Sequence, residues 1–409
     1  MPAHQTQISL KKTQDAGTSR YAQFLPFALA LGGFAIGTAE FASMGLVPAI
    51  AQGLHISIPD AGNAITAYAL GVFLGAPIIA TLGAHVARRR MLVILMSAYA
   101  LGNLMSALAD GYVTLLVSRF IAGLPHGAYF GFAAILATSA APPERRARAV
   151  ASVVLGLTVA TIAGVPLVTA LSQIVSWRSA FIAIAFLSLL SALAIRLVAP
   201  YSERNTIGGT IRAEFRVMRF KQVWLTLAIG ATGFGGIFCV YTYMATIMDR
   251  VSHAPAWSHP FAFAIFGAGM TLGTIGCSRA ADRNVMHAIG GTLVLNIFAL
   301  LAFEWMCREP IMLFLAIFFV GAGGGLAAIV QARLLEISHE GKGLASALNQ
   351  SAFNVANALG PLAGGTAIRF GLPWHALGSV AALFPLVGLL FWGLTMLDLR
   401  NTNSRASFR

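Results

Sequence analysis

Long uncharged hydrophobic runs, separated by short polar segments, recur along the whole of this chain. A helix rises about 1.5 Å per residue, so about 20 apolar residues cross the roughly 30 Å hydrocarbon core of a membrane. Twelve runs meet this requirement, and they predict an all-α membrane protein with twelve transmembrane helices. The predicted spans, numbered 1 to 12, are residues 24–50, 61–82, 91–109, 112–140, 148–171, 177–198, 223–247, 259–281, 286–306, 310–332, 343–368 and 374–397.

Composition and charge agree with a membrane protein. Hydrophobic residues make up 57% of the 409 residues and charged residues only 10%, against about 25% charged in an average soluble domain. The net charge of +13 raises the question of nucleic acid. However, the positive charge is scattered over short loops without interleaved stacking aromatics, which argues against a nucleic-acid partner.

The positions of Lys and Arg predict the topology. The segments on the side of the N-terminus hold 22 of the 27 basic residues. By the positive-inside bias, both termini are expected to be cytoplasmic and the protein to lie in the inner (plasma) membrane. The opposite side carries only four arginines, which are Arg178, Arg250, Arg308 and Arg369.

One long hydrophilic stretch, residues 199–222, divides the twelve spans into six and six. The predicted organisation is a cytoplasmic tail (1–23), a six-helix half (24–198), a cytoplasmic linker (199–222), a second six-helix half (223–397) and a cytoplasmic tail (398–409). Within the linker, residues 211–221 have the pattern of a cationic amphipathic helix. Such a helix typically lies on anionic membrane lipid, although a protein partner is an alternative.

The two halves resemble each other in sequence, at offsets of 193 to 197 residues. Parallel repeats of this kind are related by an axis along the membrane normal and support alternating access to a midplane site. We therefore expect two pseudo-symmetric halves. The matched features are the segments Gly83 to Arg90 and Gly276 to Arg283, Glu144 and Glu340, Gly164-Val-Pro166 and Gly360-Pro361, and Trp177 and Trp374.

Four segments carry a family resemblance: GTAEFASMGLVPAIA in span 1, ISIPDAGNAITAYALGVFLGAP in span 2, SRFIAGLPHGAYFG in span 4 and GLTVATIAGVPLVTALSQIVSWRSAF in spans 5 and 6. Together they resemble the major facilitator superfamily, and within it the drug/proton antiporter branch that includes arabinose and chloramphenicol exporters. The resemblance implies the two-half major facilitator fold and proton-coupled export of small organic molecules by alternating access. It also implies that spans 1, 4, 7 and 10 face a central cavity.

The chain departs from the family pattern in two places. The superfamily's loop between spans 2 and 3 carries an aspartate, but this chain has Ala87 there, whereas the second half keeps Asp282 and Arg283. We therefore expect a charge-based cytoplasmic latch in the second half. In span 5, Thr169 and Ala170 replace an expected glycine pair.

Glycine and proline recur at repeat-related positions of spans 5 and 11. Gly allows close approach of helix backbones and Pro bends a helix. We expect these residues to form a tight gating contact between the halves, with ordinary small-residue packing as the alternative. The expected gating residues of this type are Gly164, Pro166, Gly360 and Pro361.

Charges inside the spans are rare, and each costs at least about 2.5 to 3.5 kcal/mol near the bilayer centre. Glu40 in span 1 and Arg119 in span 4 lie at similar predicted depths, about 11 to 15 Å from the outer boundary. With spans 1 and 4 around one cavity, they could form a switchable ion pair that couples protons, or a permanent structural pair. His126 follows Arg119 by two helical turns and shares its face. It is expected to relay a proton or contact substrate, with a neutral histidine bonded to a neighbouring carbonyl as the alternative.

Several polar residues inside spans 2, 7, 10 and 11 are candidates for lining a substrate cavity. Each could instead bridge neighbouring helices. The candidates are Asn63, Tyr68, Tyr241, Tyr243, Gln331, Asn354 and Asn357.

Motifs for other chemistry are not found in the sequence. His253 and His259 have no Cys or carboxylate partner at ligand spacing, so we expect no metal. No phosphate loop or nucleophile elbow is present, and no nucleophile, base and orienting group share one depth. We therefore expect no cofactor and no enzyme activity. The expected partners are a small-molecule substrate, protons and lipid. The expected unit is a monomer, since nothing in the sequence demands a larger assembly. A proton-coupled uptake symporter, or a sensor with a transporter fold, is the alternative.

Overall fold

The computed structural model describes residues 24–142, 146–200, 217–338 and 342–407. The helices of the first half are Leu25–Gly45 and Val47–Leu54 (span 1), Ile58–Leu82 (span 2), Arg88–Ala107 (span 3), Tyr112–Ala140 (span 4), Arg146–Val159 and Val165–Ile174 joined by the π-helical turn Ala160–Gly164 (span 5), and Trp177–Val198 (span 6). Those of the second half are Lys221–Gly233 and Gly235–Arg250 (span 7), His259–Arg283 (span 8), Val285–Met306 (span 9), Pro310–Ala322 and Leu326–Ile337 joined by the 3-10 turn Gly323–Gly325 (span 10), Lys342–Arg369 (span 11) and Leu377–Ser407 (span 12).

The predicted all-α, twelve-span architecture is confirmed. In the described part of the chain, eleven segments are long and apolar enough to cross a membrane. Span 11 has 28 residues, which is also long enough. It is less apolar than the others because one stretch of it carries four side-chain amides. These are Asn349, Gln350, Asn354 and Asn357.

Some predicted segments differ from the structure or lie outside it. Residues 1–23, the loops with Glu144 and Glu340, and residues 201–216 of the linker lie outside the described part. Of the predicted amphipathic helix, residues Val217–Arg219 form a 3-10 turn and Lys221 begins span 7. The last helix continues to Ser407, through the predicted boundary at residue 397. Lys221 Nζ lies 2.9 Å from Asp398 Oδ1, which joins the start of span 7 to span 12.

In both halves, a glycine allows two helices to pack closely at the equivalent position. A Cβ atom at Gly75 in span 2 would collide with the carbonyl oxygen of Leu124 in span 4. In the second half, a Cβ atom at Gly273 in span 8 would collide with the carbonyl oxygen of Ala322 in span 10. The two glycines are 198 residues apart. Because only Gly permits this approach of backbone to backbone, the repeat seen in the sequence is also a repeat of packing.

The side of the molecule opposite the termini is called the outer side below. It carries the four arginines that do not follow the positive-inside bias, Arg178, Arg250, Arg308 and Arg369. Three of them lie over tryptophan rings: Arg178 over Trp177, Arg250 over Trp374 and Arg308 over Trp305, at 4.3 to 5.5 Å from the ring centroid. Cation–π contact and the interfacial position of Trp both suit a boundary between lipid and water. The fourth, Arg369, pairs with Asp60.

Candidate transport site

Glu40 is the buried carboxylate of span 1, and its partner comes from the other half of the molecule. The side chain is 6% exposed. Asn357 Nδ2 of span 11 donates a hydrogen bond of 3.0 Å to Glu40 Oε1. Glu40 lies 15 residues after Leu25 and 14 before Leu54, so it sits near the middle of span 1. The carboxylate therefore lies at the interface between the two six-helix halves, called the seam below, near the midplane.

Arg119 is fully buried in the first half, and no carboxylate of the described residues lies within salt-bridge distance of it. Its Nη2 donates to Ser43 Oγ at 2.9 Å and its Nη1 to Asn103 Oδ1 at 3.3 Å. The guanidinium carbon lies 4.3 Å from the ring centroid of Tyr68 and 5.1 Å from that of Phe181. Its Nε has no hydrogen-bond partner among the described residues. Within the part of the chain that the structure describes, the groups in contact with this buried cation are thus neutral.

The predicted ion pair of Glu40 and Arg119 is not formed in this conformation, since no salt bridge within 4.0 Å joins them among the described residues. The physical reason is depth. Span 1 continues through Leu54, which puts Glu40 about 21 Å from that end, whereas Arg119 is seven residues into span 4, or about 10 Å deep. Arg119 consequently meets Ser43, one turn nearer the outer side than Glu40.

His126 belongs to a chain of hydrogen-bonding side chains. Its Nδ1 lies 2.9 Å from Tyr68 Oη, and Tyr68 Oη lies 2.8 Å from Tyr99 Oη. Tyr99 Oη donates to the carbonyl oxygen of Ile36 at 3.4 Å. Since Ile36 is one turn from Glu40 in span 1, the chain leads from span 4 through spans 2 and 3 towards the carboxylate. Tyr68 also carries the Arg119 guanidinium on its ring.

Tyr241 of span 7 is enclosed by aromatic rings. Its ring centroid lies 5.8 Å from that of Phe41, 5.3 Å from Phe263 and 4.2 Å from Phe266. Its hydroxyl is buried and has no hydrogen-bond partner among the described residues. Phe41 follows Glu40 directly, so the unpaired hydroxyl belongs to the same region of the seam as the carboxylate.

Contacts close the two halves against each other on the outer side. Arg369 Nη2 at the end of span 11 lies 2.5 Å from Asp60 Oδ1 at the start of span 2. Gln173 Nε2 of span 5 donates to the carbonyl oxygen of Ala256, before span 8, at 2.8 Å. Deeper along the same seam, Thr66 Oγ1 donates to the Ala358 carbonyl oxygen at 3.0 Å.

The other cavity candidates have different environments. Asn63 Nδ2 donates to Tyr112 Oη at 2.9 Å and bridges spans 2 and 4. Tyr243 Oη donates to the Pro361 carbonyl oxygen at 2.8 Å and packs near Trp374 towards the outer side. Asn354 Nδ2 bonds the carbonyl oxygen of its own helix at Gln350, and its buried Oδ1 is unpaired within the described residues. Gln331 is half-buried in span 10.

The gating contact of glycine and proline between the halves stays a prediction, and in this conformation a Cβ atom at either predicted glycine would meet its own half. A Cβ atom at Gly164 would collide with Thr38 Oγ1 of span 1, within the first half. At Gly360 it would lie 2.5 Å from the Gly235 carbonyl oxygen of span 7, within the second half. These glycines, each next to the turn that holds Pro166 or Pro361, therefore set the packing inside each half. The π-helical turn Ala160–Gly164 also meets the second half, because Gly267 of span 8 packs on the Thr161 carbonyl.

Asp282 and Arg283 end span 8 on the side of the termini. Both side chains are exposed, and no salt bridge among the described residues includes either of them. The latch predicted for these two residues is accordingly not engaged in this conformation.

Three residues of the site were missed in the sequence: Ser43, Tyr99 and Asn103. Each had a weak signal. Ser43 lies one turn from Glu40 on the same helix face. Asn103 and Tyr99 are four residues apart in an otherwise apolar span and share a face, with Asn103 Nδ2 donating to the Tyr99 carbonyl oxygen at 2.8 Å. A polar pair at helical spacing in such a span is the pattern that could have identified them.

Comparison with known proteins agrees with this architecture. Residues 29–306 match the Major Facilitator Superfamily. The chain is 37% identical over 373 residues to the inner membrane transport protein YdhP of Escherichia coli K12, covering 90% of this chain and 93% of that protein. It is 29% identical to a chloramphenicol resistance protein of Streptomyces lividans, covering 88% and 91%.

Among solved structures, a bacterial homologue of the human lysosomal transporter Spinster, inward-facing and unoccupied, has a TM-score of 0.69 at 17% identity. The match covers 92% of this chain and 97% of that one, and it shows a common fold. As the sequence predicts, the family and these relatives are transporters and not enzymes. The chain is a multi-pass membrane transporter of the Major Facilitator Superfamily.

Proposed function

We propose that this chain exports small organic molecules of drug or sugar type in exchange for protons, with Glu40 carrying the proton. The observation that supports this most strongly is the position of Glu40, a buried carboxylate at the seam between the halves whose hydrogen-bond partner belongs to the opposite half. A carboxylate inside the membrane is kept mainly for function. The chloramphenicol resistance protein among the relatives favours the outward direction, because export of an antibiotic would give resistance to it.

Coupling requires two conformations that bind the proton with different affinity. A rocking motion of one half against the other changes which groups surround a residue at the seam. Glu40 is such a residue, whereas Arg119 and His126 are surrounded by groups of their own half. Arg119 supplies a fixed positive charge near the site, and His126, Tyr68 and Tyr99 form a hydrogen-bonded chain that ends at the Ile36 carbonyl, one helical turn from Glu40.

The proposed membrane is the inner membrane, with both termini cytoplasmic and the outer side facing away from the cytoplasm. Two observations support this orientation: the excess of basic residues on the side of the termini, and the relative YdhP, which is an inner membrane transport protein. In this orientation the conformation described above is closed to the outside. The proposed partners are the substrate, protons and lipid, and the proposed unit is a monomer.

The test is transport by purified protein in proteoliposomes with an imposed pH gradient. The panel contains radiolabelled chloramphenicol, pentoses and hexoses, and the matched variant is Glu40→Gln, which keeps the size and hydrogen-bonding capacity of the side chain. We expect one class of compound to move against its gradient, opposite to the protons, in the wild type only. Accumulation in the same direction as the protons would instead show an uptake symporter. Uphill transport by Glu40→Gln at the wild-type rate would exclude Glu40 as the proton carrier.

A further inference from the structure

The polar groups around Glu40 divide into those that belong to its own half and those that do not. The ionisable groups in electrostatic range are Tyr68, Tyr99 and Arg119 of the first half and Tyr241 of span 7. The hydrogen-bond donor in contact with the carboxylate is Asn357 of span 11. Tyr68, Tyr99 and Arg119 move with Glu40 when the halves rock, because they belong to the same six-helix unit.

The hydrogen bond from Asn357 therefore depends on conformation. It joins residues 317 positions apart in the chain and exists while spans 1 and 11 are in contact. The same seam is held by Thr66 with Ala358, and by Asp60 with Arg369 at its outer end. Opening of the outer side separates these spans and removes Asn357 from Glu40, while Arg119 and Tyr68 stay in place.

The chemistry of the contact gives the direction of the effect. The nitrogen of a side-chain amide can only donate, and a donated bond stabilises an ionised carboxylate more than a neutral one. Neither group has another hydrogen bond from its side chain within the described residues, since Asn357 Oδ1 is buried and unpaired. The hydrogen bond between Asn357 and Glu40 is thus the main hydrogen bond of both side chains. Its loss changes the ratio of charged to neutral Glu40.

We propose that Asn357 is the positioning residue that links the conformation of the two halves to the protonation of Glu40. It stabilises the charged carboxylate while the outer side is closed and withdraws when the outer side opens, so that Glu40 takes up a proton there. The proposal rests on the proposed function, because it assumes that Glu40 carries the coupled proton. It gives Asn357 a different role from the substrate contact expected from the sequence.

Infrared difference spectroscopy of the purified protein in lipid nanodiscs tests this without a substrate. The band of the carboxylic C=O stretch that disappears in Glu40→Gln reports neutral Glu40. At a fixed pH at which the wild-type carboxyl is mostly charged, Asn357→Ala should increase the ratio of neutral to charged Glu40 about tenfold, the effect of losing one hydrogen bond to a charged group. Asn357→Leu also removes the hydrogen-bond donor but keeps the volume of the side chain, so it should act in the same direction. It replaces Asn357→Ala in the test if the smaller side chain impairs folding.

Thr66→Val is the matched control, because it removes a hydrogen bond between the first half and the next residue of span 11, Ala358, without touching Glu40. It should leave the Glu40 band at its wild-type size. If Asn357→Ala and Asn357→Leu also leave the band unchanged, or if Thr66→Val enlarges it equally, Asn357 has no specific role and the proposal is wrong.

Dependence on conformation is tested by cross-linking the outer side shut. Asp60→Cys and Arg369→Cys, in a protein whose native cysteines are replaced, can be joined by a short bifunctional thiol reagent. In the cross-linked protein the effect of Asn357→Ala should be at least as large as in the free protein. Disappearance of the effect on cross-linking would overturn the proposal. If Glu40→Gln removes no band and still pumps uphill, then the proposed function has failed and not merely the role of Asn357.

Discussion

The ion pair of Arg369 and Asp60 should stabilise the closed outer side by a small and measurable amount. Arg369 is 44% exposed and Asp60 37% exposed, and pairs of this exposure contribute about 0.2 to 1 kcal/mol. Replacing Arg369 with Gln removes the charge and keeps most of the length. Since about 1.4 kcal/mol corresponds to a tenfold change, the ratio of closed to open protein should fall by about 1.4- to 5-fold.

Distances between spin labels on the two halves can measure this ratio. Gln52 and Glu309 are exposed positions on the outer side, one in each half. In a protein without native cysteines, labels at Gln52→Cys and Glu309→Cys should show a larger fraction of long distances in Arg369→Gln. The effect should shrink in about 1 M salt, where the screening length falls to about 3 Å.

Arg308→Gln is the matched control for this experiment. Arg308 is also an exposed arginine of the outer side, but its partner is the Trp305 ring within the second half. The Arg308→Gln variant should leave the distribution of distances between the spin labels unchanged. Asp60→Asn should add nothing in the Arg369→Gln background, since the pair is already broken. Equal shifts for Arg369→Gln and Arg308→Gln, or no shift at all, would refute the assignment of this pair to outer closure.

Three further predictions follow from the packing, the buried cation and the topology. Gly360→Leu should destabilise the protein by about 1 to 3 kcal/mol through overpacking, whereas Gly393→Leu, which has open space, should change thermal unfolding little. Arg119→Met should remain folded, because it removes a buried charge together with its desolvation cost and keeps most of the side-chain volume, and it should lose uphill transport because the positive charge near Glu40 is gone. In intact cells, His253→Cys should react with an impermeant thiol reagent and Arg90→Cys only after permeabilisation; the reverse order would show an inverted topology.

Much of the fold was predictable because a membrane imposes a simple rule on sequence. Every span must satisfy its own backbone and present about 20 apolar residues to lipid, so hydrophobic runs locate the helices. Span 11 was found in the sequence even though its amides make it less apolar than the rest. The form of the breaks within helices was not predictable: a proline follows both the interruption at Leu46 and the π-helical turn Ala160–Gly164, but proline alone does not specify which kind of break forms.

The candidate site was only partly predictable for a similar reason. Rarity of charge inside spans identifies Glu40 and Arg119, and helical spacing puts His126 on the face of Arg119. Depth along a helix, however, was judged from the end of a hydrophobic run, and span 1 continues beyond that end. The sequence therefore suggested Arg119 as the partner of Glu40, while the partner in this conformation is Asn357. Contacts across the seam depend on how the two halves dock, which no local pattern records.

The central claim is that Glu40 exchanges a proton for each cycle of substrate movement. Its most direct test is proton flow into proteoliposomes that contain a pH-sensitive dye, driven by a gradient of the substrate identified in the transport panel. The wild type should move protons opposite to substrate, and Glu40→Gln should move none while still exchanging labelled substrate across the membrane. Proton flow through Glu40→Gln at the wild-type ratio to substrate would contradict the account.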